Sequence, residues 1–252
     1  MTKVKSVNSD VQSVVDKYAK DVGMLMVNEF ASLLNEWDNP LKPLLGSGNL
    51  KIPTTTAIFN MSSAKDCVSL EKGLCKACIV SELKELINVC YARKAEVQYP
   101  KVLPYRNRQE KYWLEVTAEE FALSLLRINA GKRIKFDKLR FNESGDFHDQ
   151  EGLEKADKVA KLLSKYGVTV YCYTSRDDLD YTNVKHLVVN RSLNGLKEHE
   201  PVKGLSNEFL MITKEEGEDW KKWPKGYAKC PSDCRICDRC SVKGKKSFII
   251  QH

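Results

Sequence analysis

The stretch Leu139 to Arg176 reads LRFNESGDFHDQEGLEKADKVAKLLSKYGVTVYCYTSR. It opens on the short apolar run Leu139-Arg140-Phe141 and breaks into the polar turn Asn142-Glu143-Ser144-Gly145-Asp146. Leu153, Ala156, Val159, Ala160, Leu162 and Leu163 then recur at helical spacing. Gly167 stops the helix, and Val168-Thr169-Val170-Tyr171-Cys172-Tyr173 reads as a buried strand. A strand, a helix and a strand at this separation predict two parallel strands joined by a right-handed crossover.

That topology gives the polar residues a meaning. In parallel α/β sheets and barrels, ligands collect at the carboxyl ends of the strands. Those ends carry Asn142, Glu143, Ser144 and Asp146 after the first strand, and Thr174, Ser175 and Arg176 after the second. They form the candidate active site. The plainer alternative is an ordinary turn at Ser144-Gly145-Asp146, with Asp149 capping the helix.

Outward from this unit, the chain of 252 residues is long enough for one α/β domain with additions. Residues 1 to about 45 carry an amphipathic stripe from Val11 to Leu34, ended by Asn39-Pro40, Pro43 and Gly46-Ser47-Gly48. Thr54 to Met61 reads as the first strand of the body, with Asn60 near its carboxyl end. Cys67, Cys75, Cys78 and Cys90 follow at spacings of seven, two and eleven residues, around an apolar helix from Ile79 to Val89. The Cys75–Cys78 pair suits a metal knuckle. A continuous helix would place Cys90 roughly 15 Å from Cys78, so the four need not share one ion, and small buried thiols are the alternative.

Tyr99 to Trp113 interleaves basic and aromatic residues, a pattern suited to phosphate contact and base stacking, or else to a solvated loop with a few buried rings. A helix follows from Ala118 to Ile128. After Arg176 come strands at His186 to Asn190 and Glu208 to Thr213. The short connections predict an α/β fold that is a partial or irregular (β/α) barrel or a parallel sheet. Its expected organisation is an N-terminal helical segment (1–48), an α/β body (49–225) and a Cys-rich metal-binding segment (226–252).

The net charge of +7, from 41 basic and 34 acidic residues, fits a polyanionic partner without requiring one. The 42% hydrophobic content contains no run long enough to span a bilayer, and the N-terminus lacks a signal-peptide core, so a cytoplasmic protein is expected. Nine cysteines in such a chain speak for metal rather than disulfides. Cys230, Cys234, Cys237 and Cys240 are separated by three, two and two residues. Four thiols this close on a polar segment fit Zn2+ or a [4Fe-4S] cluster, with His252 as a possible ligand, and suggest a structural closing knot.

Asn60, the cysteines Cys67, Cys75, Cys78 and Cys90-Tyr91-Ala92, then Ser144-Gly145-Asp146-Phe147, Tyr173-Thr174 and the C-terminal cysteine knot together resemble the phage gene product eighty-eight family, over about residues 52 to 252. More loosely, a strand-end aspartate in an α/β barrel with a cysteine metal knot is similar to the tRNA-guanine transglycosylase superfamily. Its phage members exchange guanine in DNA for a 7-deazaguanine, a protection against restriction. That likeness implies Asp146 as nucleophile, Glu143 as acid/base and structural zinc, with DNA and a 7-deazaguanine base as partners. The cysteine spacing departs from that superfamily's pattern.

A carboxylate can trap or stabilise the oxocarbenium-like state formed when a purine leaves deoxyribose. An extruded base would be read by Asn60, Ser144, Tyr173, Arg176 and Asn190. Arg93, Lys94, Arg106 and Arg108 would hold phosphates. Two other classes fit the same residues: an iron–sulfur enzyme or nuclease acting on nucleic acid, and a non-catalytic, metal-stabilised nucleic-acid-binding protein.

Overall fold

The computed structural model describes residues 44–75, 90–196, 199–205 and 207–251. The amphipathic stripe up to residue 43, the apolar helix at 79–89, Cys78 and His252 lie outside the described residues.

The central strand–helix–strand unit forms as the periodicity predicts. Strand β1 (Gly46–Ser47) and strand β2 (Thr56–Phe59) precede it, and the unit itself is β3 (Lys138–Phe141), the first long crossover helix (Gln150–Ser164) and β4 (Thr169–Thr174). Asp149 caps that helix by accepting from the Gly152 N–H at 2.7 Å, and Gly167 at φ +73° turns the chain into β4. Leu153, Ala156, Val159, Ala160 and Leu163 are buried from it.

Among the described residues, four helices lie in the β2–β3 connection: α1 (Val68–Glu71), α2 (Tyr91–Gln98), α3 (Val102–Glu115) and α4 (Ala118–Gly131), making the crossover helix α5. Thr117 and Glu120 form a reciprocal capping box at the start of α4. The Tyr99 to Trp113 stretch is therefore not a loop. From Val102 onward it is helical, and Arg106, Gln109, Tyr112 and Trp113 point into the protein. The remaining elements are β5 (Val188–Asn194), β6 (Asn207–Ile212), α6 (Lys214–Glu218), β7 (Ala228–Lys229) and β8 (Lys246–Ile250).

The sheet runs β1-β2-β3-β4-β5-β6-β8-β7 and is parallel except for the β1–β2 pair. It is the parallel-sheet form of the expectation, with β1 and β7 at its edges. β7 and β8, which flank the Cys-rich segment, belong to the same sheet as the strands of the body. From β2 to β6, successive strands step in one direction, so right-handed crossovers carry their connections over one face. Alternate residues Leu139, Phe141, Val170, Cys172 and Val189 meet α4 and α5 there in the main core, around a cluster of Phe59, Trp113, Phe121 and Phe141.

The order reverses at the end: β7 lies outside β8, so the chain steps back. A right-handed return from β7 to β8 must cross the opposite face. The segment carrying Cys230, Cys234, Cys237 and Cys240 is that return. It lies on the sheet face away from the helices, the inner face below.

Gly145 locks the β3–α5 turn at φ +72°, and a Cβ there would fall 2.0 Å from Ser62 Oγ and 2.4 Å from the Ser62 carbonyl oxygen. G145A is expected to lose about 3 kcal/mol of stability, seen as a lower denaturation midpoint. An unchanged midpoint would mean that this turn is not packed on Ser62.

Candidate functional site

The polar strand ends come together, but as a knot of internal bonds. Asp146 is 3% exposed. Its Oδ1 accepts from Thr174 Oγ1 at 2.7 Å and from the Phe147 N–H at 2.9 Å. Its Oδ2 accepts from Ser69 Oγ at 2.7 Å and from the Ser175 N–H at 2.8 Å. Burial pushes its pKa upward, and these four donors pull the other way. A nucleophile needs a free oxygen facing its substrate. Both oxygens of Asp146 are engaged, so in this geometry the carboxylate ties α1, β3 and β4 together.

The other strand-end candidates are similarly committed. Asn60 donates to Gln109 Oε1 at 3.0 Å and accepts from the Ser144 N–H at 2.8 Å. Arg176, buried, grips both oxygens of Asp178 at 2.6 and 3.0 Å and donates to the carbonyls of Phe147 and His148. Of the expected phosphate rim, Arg106 is 5% exposed. It donates to Glu96 Oε1 at 2.9 Å and to the Ala92 carbonyl at 2.8 Å. Arg93 also turns to Glu96, at 3.3 Å. Glu96 further accepts from the Ala64 and Lys65 N–H groups, a buried acceptor that fixes the loop after β2. Only Lys94 and Arg108 of the four are exposed.

The inner face has a different character. Arg140, Tyr171, Tyr173, Asn190, Asn207 and Phe209 occupy it, alternating with the core residues on β3 to β6. The Arg140 guanidinium carbon lies 4.8 Å from the centre of the Tyr173 ring, whose edge meets Phe209 at 5.3 Å between ring centres. Tyr91, Tyr171 and Glu143 complete the surroundings of Arg140. Burial works against its charge, but these neighbours outweigh that and raise its pKa further. Burial also pushes Tyr171 and Tyr173 upward, so both phenols stay protonated at neutral pH and offer dipoles instead of charges. Glu143 holds the Asn49 amide at 3.2 Å, while the Tyr91 hydroxyl donates to its carbonyl.

Two asparagines seat the cysteine segment on this face. Asn190 Nδ2 donates to the Cys240 carbonyl at 2.8 Å, and Asn207 Nδ2 to the Val242 carbonyl at 2.8 Å. Asn207 Oδ1 accepts from the Gly244 N–H at 2.7 Å, and Asn207 Nδ2 also reaches Asn190 Oδ1 at 3.2 Å. At the other end the Cys234 N–H reaches the Lys51 carbonyl at 2.7 Å, and the Cys230 N–H the Phe248 carbonyl at 2.7 Å. Asn190, expected to read a base, holds the cysteine segment in this structure.

Cys230, Cys234, Cys237 and Cys240 are near enough to affect one another's ionisation. Burial pushes Cys240 up to about 11, opposed by a hydrogen bond from the Tyr173 hydroxyl. Cys234 is also raised by burial, with Arg140 opposing. The donor set suits zinc or iron, and one backbone group is already in place: the Ser232 N–H points at Cys230 Sγ at 3.4 Å, with Ser232 at φ +60°. The four side chains are not drawn to a common point. Among the described residues, no three Cys, His, Asp or Glu form a ready metal-binding group. The earlier group separates further: Cys67 lies beside Asp146 and Cys75, and burial pushes it up to about 12. Cys90 instead sits at the N-terminal end of α2.

Arg140, Tyr171, Asn207 and Glu96 were absent from the expected site. The signal for the first two was in the alternation Leu139-Arg140-Phe141 and Tyr171-Cys172-Tyr173, which puts Arg and Tyr on the face opposite the core.

Two outcomes follow for the strand-end knot. D146N replaces one acceptor oxygen with a donor facing other donors, and should cost about 2–4 kcal/mol in denaturant unfolding. A stability equal to wild type would show that the four bonds do not form. Asp178 is held below the ordinary carboxylate range chiefly by Arg176, with Lys72 adding to it. Its folded-state pKa is depressed, so its contribution to stability is present above its ordinary value of 3.8 and is lost as the pH falls below that value. D178N should therefore flatten the acid limb of the stability–pH curve while leaving its shape near neutrality unchanged. An acid limb as steep as in wild type would exclude the pair as its source.

No helix among the described residues is long and apolar enough to cross a membrane. No curated protein and no solved structure matches the chain. A family model described as Gene product 88 matches residues 34–246. That covers the strand-end knot, the inner face and all four clustered cysteines, and on this match the chain belongs to the Gene product 88 family, a bacteriophage gene-product family.

Proposed function

We propose that the protein is a metal-thiolate enzyme acting on nucleic acid, with its working surface on the inner face of the sheet. The observation that carries this reading is the position of the cysteine return. It lies across the centre of the sheet, with Cys234 and Cys240 beside Arg140, Tyr171 and Tyr173. A purely structural staple would serve as well at an edge, away from a cation and aromatic rings.

Cys230, Cys234, Cys237 and Cys240 would hold the metal. Bound there, zinc would supply a Lewis acid and an iron–sulfur cluster a redox centre. The chain's own groups have separate tasks. Asn190 and Asn207 fix the cysteine return, the Tyr173 hydroxyl donates to Cys240, and Arg140 supplies positive charge for an anionic substrate. The rings of Tyr173 and Phe209 give a surface of the kind bases stack on. Exposed Lys94, Lys101, Arg108 and Lys111 on and between α2 and α3 suit a backbone contact further out.

Guanine exchange in DNA is the second reading. Glu143 favours it: unlike Asp146, it is partly exposed and stands beside the tyrosines and Arg140. On that reading Glu143, not Asp146, is the carboxylate able to face a sugar.

Metal and sulfide analysis of protein purified without oxygen tests the proposal. About one zinc, or about four irons with matching sulfide, per chain is expected, and C234S/C240S should lose it. Metal-free wild-type protein with an unaltered near-ultraviolet spectrum would overturn the proposal.

A further inference from the structure

Among the described residues, three buried side-chain nitrogens have no hydrogen-bond partner: Arg140 Nε, Asn142 Nδ2 and Arg93 Nε. All three are donors, and no buried side-chain acceptor is left in the same condition. Two of them are neighbours. Arg140 and Asn142 lie two residues apart at the carboxyl end of β3. Arg93 lies on α2, where its guanidinium is already engaged by Glu96 at 3.3 Å.

The groups around them sharpen the point. Asn142 is at φ +58°, a left-handed conformation that asparagine tolerates better than most residues other than glycine, and its Oδ1 accepts from the Met61 N–H at 3.3 Å. The amide oxygen is thus committed, and its NH2 group faces away from that bond. No ion pair joins Arg140 to a carboxylate among the described residues, although the other largely buried arginines, Arg106, Arg176 and Arg191, each have one. Burying a guanidinium without a counter-charge costs several kcal/mol, and a buried donor without an acceptor about 1–3 kcal/mol. For the neighbouring Arg140 and Asn142, one species could relieve both: an anion with several acceptor oxygens.

We propose that the carboxyl end of β3 is an oxyanion subsite, in which Arg140 and Asn142 bind a phosphate group of the substrate. A guanidinium fork and an amide NH2 together offer more donors than the two oxygens of a planar carboxylate take up, which suits a tetrahedral phosphate. The subsite deepens the proposed function, since it names what the inner face would hold, and it rests on that reading only for the identity of the substrate. The subsite itself needs no metal.

The test is calorimetric titration of the full chain with inorganic phosphate at constant ionic strength, with metal content measured on the same samples. Saturable one-site binding is expected. R140Q should weaken it roughly tenfold or more, N142A by a smaller factor, and R140K should restore part of the loss. K161Q, an exposed charge on α5, should bind as wild type. Circular dichroism melts report which variants fold, and if R140Q does not fold, R140K and N142A decide.

Absence of saturable binding to wild type would overturn the subsite. So would R140Q and N142A binding as wild type, or K161Q weakening binding as much as they do, since binding would then be diffuse surface attraction. Loss of metal in R140Q with phosphate binding unchanged would overturn it too, because Arg140 would then serve the thiolates. Phosphate binding by a metal-free chain would leave the subsite standing and remove the metal centre alone, so the two proposals fail separately.

Discussion

The handedness of parallel crossovers determines which residues of this protein can meet. While the strands step from β2 to β6, every connection falls on one face, and the helices it contains bury Leu139, Phe141, Val170, Cys172 and Val189. When β7 is laid outside β8 the direction reverses, and the connection that follows is carried to the other face. The four cysteines occupy that connection. Their encounter with Arg140 and the tyrosines follows from the strand order before any side-chain preference acts. Asn190 and Asn207 then fix the depth at which the segment lies, using backbone carbonyls that would otherwise need water.

The same topology separates two kinds of polar residue that look alike in the sequence. At the strand ends, Asp146, Asn60 and Arg176, with Glu96 on α2, are satisfied by neighbouring side chains and by the surrounding backbone. They close the connections that β2, β3 and β4 send to the helical face. On the inner face, Arg140 has a ring beneath it but lacks a partner for its Nε. Saturated groups stabilise a fold, whereas a buried group left without a partner asks for an explanation.

Much of the scaffold could be read directly from the chain. The apolar stripe from Leu153 to Leu163, the Asp149 cap and Gly167 specify α5, and with it the parallel β3–β4 pair. The site was harder to read because partnership is a tertiary property. Nothing in Tyr99 to Trp113 announces that Arg106 faces a buried Glu96 ten residues away on another helix, so basic residues that neutralise one carboxylate resemble a phosphate rim. Asp146 looked exposed to substrate because a strand-end turn usually is. Ser69, one of its donors, comes from a segment 77 residues earlier. Strand β8 hides behind the cysteines, and without it the reversal that places them is invisible.

Why a fold would keep Arg140 among tyrosines, with no carboxylate paired to it, is a question of selectivity. A salt-bridged arginine is neutralised before a ligand arrives, and the ligand must displace the carboxylate or share the cation with it. Tyrosines held protonated by burial can orient a guanidinium through their ring faces and hydroxyl dipoles without cancelling its charge. Glu143 stands nearby but outside ion-pair distance, so it tempers the field without quenching it. The arrangement accepts a higher energy in the empty state, of the order of the cost of a half-buried unpaired charge, and recovers it only when an anion binds. In a protein whose surface is basic overall, long-range attraction would bring many polyanions close. A partly buried, preorganised cation beside aromatic rings then distinguishes a group that can be inserted from one that only touches the surface.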